Sequence, residues 1–230
     1  MNRKIGIICA VESEKNEILK KYTNYAIERV YDFEFYTFNI NSINVVMVKC
    51  GVGKINAARA TQVLIDKYNV IQIINYGTAG GIVPYLKHGD IVLARSCVQV
   101  DADCTVFGVE KGKFEKDDEL YVKCNEDYLL KIKDKLGESG YRVYIENVAT
   151  FDQFIINKKF NDDLVKQFNV VCADMESVAI AIVCNSCNVP YVIIRGISNI
   201  LNDKEPISSY NSLSSGVSSD CVSIISKIIC

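Results

Sequence analysis

Acidic side chains occupy two points of the chain where a predicted strand passes into a helix. Glu12 and Glu14 follow the first apolar run, and Asp174 and Glu176 flank Met175 later in the chain. A carboxylate at such a junction either supports the start of the helix electrostatically or accepts hydrogen bonds from the hydroxyl groups of a bound sugar. Spacing alone does not distinguish the two roles, and it does not select between Glu12 and Glu14.

Two glycine-rich segments, Gly51-Val-Gly53 and Gly77-Thr-Ala-Gly-Gly81, each follow an apolar run. Glycine adopts positive φ angles readily and lets the backbone approach a ligand closely. We therefore predict turns here, which either line a ligand site or are ordinary tight turns. Neither segment has the spacing of a dinucleotide-binding fingerprint or of a Walker phosphate loop, so the sequence predicts no cofactor.

Apolar runs alternate with helical segments along the chain, without internal repeats or a linker. Strands are predicted at residues 4–10, 70–76 and 191–198, and helices at residues 13–21 and 175–187, among others. This alternation predicts an α/β fold, with a mostly parallel sheet between layers of helices and ligands bound beyond the carboxyl ends of the strands. The acidic residues and the glycine-rich segments fall at those ends.

Length and composition limit the classes of function. With 230 residues, 49% hydrophobic and 23% charged, the chain is expected to form one domain spanning residues 1–230. The net charge of −2 gives no broad attraction to nucleic acid or to anionic lipid, so neither is expected as a partner. The first apolar run ends before Glu12 and is too short for a signal peptide or a membrane span. A cytoplasmic protein is expected.

The ten cysteines are expected to be reduced. Several lie in apolar runs, where a free cysteine behaves as a small buried hydrophobic residue. Cys184 and Cys187 have the spacing of a redox or zinc pair, but no second pair at metal-binding spacing is present. The chain's only histidine, His88, is far away in sequence. No metal site is predicted.

Seven motifs, each present once, follow one another along the chain: Ile5-Gly-Ile-Ile-Cys-Ala-Val-Glu-Ser-Glu14, Cys50-Gly-Val-Gly-Lys54, Asn75-Tyr-Gly-Thr-Ala-Gly-Gly81, Asp101-Ala-Asp-Cys-Thr-Val-Phe-Gly108, Phe151-Asp-Gln-Phe-Ile155, Asp174-Met-Glu-Ser177 and Arg195-Gly-Ile-Ser-Asn199. Over essentially the whole chain they resemble the 5'-methylthioadenosine/S-adenosylhomocysteine nucleosidases of the nucleoside phosphorylase superfamily. The resemblance implies a three-layer α/β/α fold with a central mixed, mostly parallel sheet. It also implies a homodimer, hydrolysis of the bond between ribose and adenine, and no metal or organic cofactor.

The resemblance assigns roles to individual residues. Glu14 matches the carboxylate that activates water, and Glu176, beside Met175, matches the group that holds the ribose hydroxyls. Asn199 stands where the family has the aspartate that protonates the purine. Further implied contacts are Phe154 stacked on the purine, Ile155 at the edge of the base, Thr78 near the sugar, Val11, Val52 and Tyr210 beside the 5' substituent, and Phe107 reaching into the neighbouring subunit's site.

The asparagine at position 199 leaves three interpretations open. An amide donates hydrogen bonds but does not release a proton, and a positioned acid typically contributes ~10²- to 10⁴-fold in rate. The chain is therefore a weakened adenine nucleosidase, a hydrolase or phosphorylase of 6-oxopurine nucleosides whose N7 and O6 both accept from the amide, or a nucleoside-binding protein without turnover.

Phosphorolysis is the nearest rival to hydrolysis. Related phosphorylases bind phosphate with arginines, one of them at the position that Asn75 occupies in this chain. At the first turn they have a Gly/Arg pair, where this chain has Glu14. A carboxylate there repels phosphate and suits water, so the sequence favours hydrolysis.

Overall fold

The computed structural model describes residues 3–154, 158–200 and 206–229, and at residues 158 and 206–215 it describes the backbone alone. Its helices are α1 Glu12–Lys21, α2 Lys54–Tyr68, α3 Glu126–Gly137, α4 Lys158–Phe168, α5 Ser177–Ser186 and α6 Pro206–Ile228. Its strands are β1 Lys4–Cys9, β2 Ala26–Val30, β3 Phe33–Ile40, β4 Ile43–Lys49, β5 Val70–Gly81, β6 Ile91–Gln99, β7 Val122–Lys123, β8 Val143–Thr150, β9 Cys172–Asp174 and β10 Tyr191–Ile200. None of these helices has both the length and the apolar character needed to cross a membrane.

The strands of the described residues form a single mixed sheet in the order β10-β6-β8-β9-β5-β1-β4-β3-β2, with β7 attached to β6. The longest pairing, β5 with β10, is parallel, and β1, β4, β8 and β9 also join parallel ladders. Because β10 pairs with both β5 and β6, the strands β5, β9, β8, β6 and β10 close into a ring. The predicted mixed sheet is confirmed, and the ring is a feature that the sequence did not indicate.

Helices cover both faces of the sheet, and each face has its own apolar core. On one face, α2 and α5 contribute buried side chains such as Leu64 and Ile180. On the other face, α1, α3 and α6 contribute Ile18, Ile132 and Ile224. Helices with one apolar side must bury it against a partner, and the sheet provides that partner for both groups. The predicted three-layer α/β/α arrangement is confirmed.

The second glycine-rich segment differs from its prediction. We expected a turn at Gly77–Gly81, but these residues continue β5 and pair with β10 as far as Ile200. Glycine is required at position 77 for space, because a Cβ there would lie 3.1 Å from Nη1 of Arg195 and 3.4 Å from Oε1 of Glu14. The first segment does turn as predicted, with φ values of 86° at Gly51 and 99° at Gly53.

Helix α6 approaches the sheet very closely at Gly196. A Cβ at this position would lie 2.2 Å from Cγ1 of Val217 and 3.0 Å from the hydroxyl of Tyr76. That hydroxyl donates a hydrogen bond of 2.7 Å to the carbonyl oxygen of Val217. The tyrosine is fully buried, so this bond and the missing side chain together set the position of α6 against β5 and β10.

Candidate active site

A pocket opens at the carboxyl ends of β1, β5, β8, β9 and β10, where the alternation of strands and helices predicts a ligand site. It encloses about 720 Å³, including its open mouth. The segments that line it are the turn after β1, the second half of β5, the residues after β8, the junction of β9 with α5, and the end of β10. Each segment carries at least one of the motifs identified in the sequence.

Glu14 lines this pocket and is buried, with 1% of its surface exposed. One carboxylate oxygen accepts hydrogen bonds from the backbone N–H groups of Ala10 (2.9 Å) and Val11 (3.2 Å), and the other accepts from Thr78 N–H at 3.0 Å. Burial raises the pKa of Glu14, and these bonds and the nearby Arg195 offset the rise only in part. The site therefore holds a fixed carboxylate that is a stronger base than an exposed one.

Glu12, two residues earlier, lies outside the pocket. Its carboxylate forms ion pairs with Lys15 and, at 2.9 Å, with Lys49, and its side chain is 55% exposed. The structure thus separates the two glutamates that spacing did not distinguish. It places Glu14 in the pocket and Glu12 on the surface.

Glu176 lines the same pocket from the junction of β9 with α5. The backbone N–H of Gly53 donates to its Oε1 at 2.9 Å, which ties the junction to the turn before α2. Burial and the charges of Asp174 and Glu14 raise the pKa of Glu176 to about 7, although Arg195 and the Gly53 N–H act in the opposite direction. This carboxyl group changes charge near neutral pH.

Arg195 is the buried cation whose positive charge partly offsets the negative charge of these buried acids. It is 1% exposed, and its Nε donates to Oδ2 of Asp174 at 2.5 Å while its Nη2 donates to Oδ1 of Asn75 at 2.5 Å. Asn75 in turn donates to the carbonyl oxygen of Ile8 at 2.9 Å, so the network connects β10, β5 and β1. A buried charge is costly unless it is paired and hydrogen-bonded, and here both conditions are met.

Asp174 also lines the pocket, and both of its carboxylate oxygens are held by hydrogen bonds within this network. Its Oδ1 accepts from the Thr150 hydroxyl at 2.8 Å and from the backbone N–H groups of Glu176 and Ser177 at 3.2 Å. Its Oδ2 accepts from Arg195 and from the Ser177 hydroxyl. Sequence reasoning did not single out Arg195 for a role, yet an arginine inside an apolar strand run is a signal of a buried ion pair.

Asn199, near the end of β10, also lines the pocket and is 2% exposed. The pairing of β10 with β5 shifts between Ile197 and Asn199, and the extra residue is Ser198. Such a bulge redirects side chains, and here both Ser198 and Asn199 line the pocket. The Ser198 hydroxyl lies 2.9 Å from Oδ1 of Asn199 and donates to it, whereas Nδ2 of Asn199 has no hydrogen-bond partner among the described residues.

The remaining predicted site residues divide into three groups. Those that line the pocket are Val11, Val52, Thr78, Phe154 and Met175. Phe107 does not line it and is 75% exposed in a short 3-10 turn. Ile155 lies outside the described residues, as does the side chain of Tyr210. Sequence reasoning assigned no role to Tyr76, Phe151, Gln153 and Ser198, which also line the pocket.

Three segments carry exposed apolar side chains, and two of these segments, at Val52 and Phe154, also line the pocket. A charged cluster joins these segments: Lys54 Nζ contacts Asp101 at 2.7 Å, and Asp152 accepts from the Lys54 backbone N–H at 3.0 Å. Exposed next to this cluster in the chain are Val52, Ile55, Val106, Phe107 and Phe154, each between 47% and 85% accessible. Exposed apolar side chains grouped in this way are typical of an interface.

The site combines two buried carboxylates with a neutral amide and an aromatic ring. Over the described ranges, no group of three or more histidine, cysteine or acidic side chains is arranged to hold a metal ion. The carboxylates can hold sugar hydroxyls, orient water and stabilise positive charge, while Phe154 and Asn199 can stack on and hydrogen-bond a planar heterocycle.

Comparisons with known proteins agree with this arrangement. The family model described as the phosphorylase superfamily matches residues 4–224. A protein of Shewanella oneidensis named 5'-methylthioadenosine/S-adenosylhomocysteine nucleosidase is 34% identical over 207 residues, which are 89% of this chain and 87% of that protein.

Solved structures share the whole fold. A putative 5'-methylthioadenosine/S-adenosylhomocysteine nucleosidase from Francisella philomiragia is 27% identical, with a TM-score of 0.93 over 100% of this chain and 99% of that one. The futalosine hydrolase of Helicobacter pylori superposes with a TM-score of 0.94 at 23% identity, covering 100% of this chain and 98% of that one. At that identity the second likeness concerns the fold alone.

Proposed function

The chain belongs to the phosphorylase superfamily and, within it, to the 5'-methylthioadenosine/S-adenosylhomocysteine nucleosidases, and from that premise we propose which bond it hydrolyses and how. It is an N-glycosyl hydrolase. The proposed substrates are purine nucleosides of the 5'-methylthioadenosine/S-adenosylhomocysteine type, with a thioether at the 5' carbon, and Asn199 stands at the base in place of an acid.

The buried Glu14 carboxylate carries this proposal. Three backbone N–H groups fix its orientation, and burial raises its pKa, which makes it a stronger base than an exposed carboxylate. Water held by Glu14 attacks C1' of the ribose as the bond from C1' to N9 breaks. The bond electrons leave with the purine, the water proton passes to Glu14, and the purine takes a proton from solvent.

Glu176 acts on the sugar in this scheme. An ionised carboxylate accepts hydrogen bonds from ribose hydroxyls and lies close to the positive charge that develops on the ribose ring. The Gly53 N–H fixes one of its oxygens at 2.9 Å, so the carboxylate is oriented before the sugar arrives. Thr78, whose backbone N–H also contacts Glu14, lies on the pocket wall beside it.

Charge balance supports hydrolysis over phosphorolysis. Among the residues that the structure describes, three buried acids, Glu14, Asp174 and Glu176, line the pocket with one buried cation, Arg195. The Nε, Nη1 and Nη2 atoms of Arg195 already donate to Asp174, Ile194 and Asn75. A phosphate dianion entering this site would meet excess negative charge at short range. Neutral water meets no such barrier.

The proposal also covers the residues that contact the 5' substituent of the substrate and the association of two subunits. Val11, Val52 and Tyr210 are proposed to contact the 5' thioether, Ile155 to contact the base edge and Phe107 to enter the site of a second subunit. The exposed apolar residues around Phe107 support a homodimer, which would cover them. We further propose that residues 1–230 form one domain that acts in the cytoplasm on small nucleosides and not on nucleic acid or membranes.

A second candidate function is nucleoside binding without turnover. Its support is Asn199, because an amide cannot deliver the proton that a departing adenine requires. The protein would then bind a nucleoside and leave it intact.

One assay tests the reaction type. The purified protein is incubated with 5'-methylthioadenosine, S-adenosylhomocysteine, inosine and guanosine, with and without phosphate, and the free base and the sugar product are quantified. We expect free base and free sugar at a rate that phosphate does not change. Accumulation of a sugar 1-phosphate would overturn hydrolysis, and saturable binding of all four without any free base would establish the binding function instead.

A further inference from the structure

A lysine occupies the first position of α2, where the electrostatics of the helix oppose it. The partial positive charge at the start of a helix favours acidic side chains and disfavours a cation, and the first turn of α2 has no acid. Only 14% of the Lys54 side chain is exposed, although lysine normally faces solvent. Residues that break such local rules concentrate at functional positions, where other contacts compensate them.

Two aspartates from distant parts of the chain compensate this lysine. Its Nζ donates to both carboxylate oxygens of Asp101 at 2.7 Å and lies 3.5 Å from Oδ2 of Asp152. The Asp152 N–H donates to Oδ2 of Asp101 at 3.1 Å, and the Lys54 N–H donates to Oδ1 of Asp152 at 3.0 Å. The three residues form a closed ring of contacts that joins the start of α2 to the segments after β6 and β8.

Two of the segments in this ring also form the pocket. Phe154, which lines the pocket, lies two residues after Asp152. The N–H of Gly53, the neighbour of Lys54, donates to Oε1 of Glu176 at 2.9 Å. The successive N–H groups of residues 53 and 54 therefore fix one carboxylate of the pocket and one carboxylate of the segment that carries Phe154.

Removal of the lysine charge would disturb only one of these two connections. The hydrogen bonds to Glu176 and to Oδ1 of Asp152 come from backbone N–H groups, which remain whatever side chain is present at position 54. Asp101 and Asp152 would then lack their shared cation and repel each other. Because both acids are partly exposed, solvent weakens this repulsion, and a moderate displacement of the segment that carries Phe154 is expected.

Resting on the proposed hydrolase function, we infer that Lys54 is a positioning residue. Through Asp101 and Asp152 it holds the segment of Phe154 against the bound nucleoside, and so it sets the affinity for substrate without taking part in bond cleavage. Lys54 is not one of the described residues that line the pocket, so its effect passes through the aromatic ring. Glu14 and Glu176, which are proposed to act on water and ribose, keep their backbone contacts throughout.

The test compares Lys54→Met, which removes the charge and keeps most of the length, with the native protein on 5'-methylthioadenosine. KM should rise by about five- to tenfold, part of what stacking of a base on an aromatic ring contributes, while kcat changes by less than about twofold. Lys54→Arg keeps the cation and should restore most of the affinity. The matched control is Lys67→Met, which removes an ion pair of 2.7 Å with Glu28 at the other end of α2 and should leave KM unchanged.

A double-mutant cycle separates positioning from a general effect on stability. If Lys54 acts through the ring, the loss of affinity caused by Lys54→Met should largely disappear in the Phe154→Ala background. Equal losses in both backgrounds would overturn the positioning role. Asp101→Asn leaves the lysine in place but removes its closer partner, and it should raise KM without lowering kcat even if Lys54→Met does not fold. An unchanged KM in Asp101→Asn would also overturn the role.

Affinity keeps the inference separable from the hydrolase function. Calorimetric Kd values for 5'-methylthioadenosine are measured with and without Lys54→Met in the Glu14→Gln background, in which the nucleoside is not expected to be cleaved. If the native protein does not cleave the nucleoside but Lys54→Met raises Kd by about fivefold or more, hydrolysis fails and the positioning role stands. An unchanged Kd would overturn the positioning role while leaving hydrolysis intact, and absence of binding to the protein with Lys54 would overturn both.

Discussion

The pocket has a proposed sugar end, with Glu14 and Glu176, and a proposed base end, with Asn199, and the polar groups of the two differ in how fully the protein hydrogen-bonds them. At the sugar end, Glu14 receives three backbone N–H groups, Glu176 receives another, and Arg195 balances part of their charge. At the base end, Asn199 is neutral and its Nδ2 has no partner in the part of the chain that the structure describes. The protein itself orients the carboxylates that are proposed to handle water and ribose, whereas the amide that is proposed to contact the base keeps a donor for a ligand.

This difference separates chemistry from specificity. The sugar end depends on the register of β1, β5 and β10 and on a buried ion pair, so single substitutions there disturb several strands. The base end depends on one side chain at the edge of β10, which can be exchanged without altering that network. A substitution at Asn199 should therefore leave the hydrogen-bonded network around Arg195 unchanged.

The largest effect is expected from Glu14→Gln, which keeps the shape of the sugar end but removes its base. Turnover should fall by about 10²- to 10⁴-fold, the usual contribution of a positioned acid or base. Ligand affinity should change less than fivefold, because Glu14 is proposed to act on water and not on the bound sugar, although the glutamine amide keeps an acceptor for only one side of the backbone donors. Single-turnover rates and calorimetric Kd values measure the two quantities.

Glu12→Gln is the matched control for that experiment, since Glu12 is an exposed partner of Lys15 and Lys49. Its turnover should equal that of the native protein. An inactive Glu12→Gln beside an active Glu14→Gln would reverse the assignment of the water-activating carboxylate.

Glu176→Gln should weaken both binding and turnover, by about tenfold or more in each. The reason is that hydrogen bonds to a charged acceptor contribute roughly 1.5 to 3 kcal/mol, and the neutral amide gives up part of this for the ribose hydroxyls. Kd for a nucleoside and kcat measured on the same preparation test the prediction. A change in kcat alone would place Glu176 away from the sugar.

The pH dependence of kcat/KM sharpens the contrast between the charged and neutral ends. Burial raises the pKa of Glu176 to about 7, so this carboxylate gains a proton as the pH falls below neutrality, and burial also raises the pKa of Glu14 above its ordinary value. We expect kcat/KM to rise as the pH increases through about 7 and then to level off. The same limb should persist in Asn199→Ala at lower absolute rates, because an amide does not titrate.

Stability should show the opposite trend over the same range. Because folding raises the pKa of Glu176, the folded protein binds more protons than the unfolded chain between the two pKa values, about 4.5 and 7. Stability therefore falls as the pH rises through that window, by at most ~1.4 kcal/mol per pH unit for this group. Glu176→Gln should raise the melting temperature more at pH 8 than at pH 5; an equal change at both would show that the buried charge carries no such penalty.

The smallest effect is expected from Phe107→Ala. If this exposed ring enters a second subunit's site, KM for a 5'-methylthio nucleoside should rise several-fold, since loss of a phenyl group in a partly open pocket costs less than the ~3 to 5 kcal/mol seen in cores. Phe114→Ala, a comparably exposed ring outside the pocket, should have no effect. Full activity in a monomeric Phe107→Ala protein would contradict the dimer.

Much of the fold and of the pocket's position could be predicted from sequence, because strand and helix periodicity are local properties. The choice between Glu12 and Glu14 could not, since both lie in the first turn of α1 and only contacts from β1 and β5 distinguish them. The extension of β5 through Gly77–Gly81 depends on pairing with β10, more than a hundred residues away. The direction of the Asn199 amide depends on a bulge in that same pairing, which no local pattern signals.

The contact at Gly196 restricts how relatives of this protein can diverge. No side chain fits there while Tyr76 and Val217 keep their places, since even a methyl group would lie 2.2 Å from Cγ1 of Val217. Substitutions at positions 196 and 217 should therefore covary among homologues: a residue larger than glycine at 196 should coincide with a smaller one at 217. The order of mutation is constrained as well, because the valine can be replaced by a smaller residue before the glycine is lost, whereas the reverse order passes through an intermediate in which α6 is displaced from the sheet.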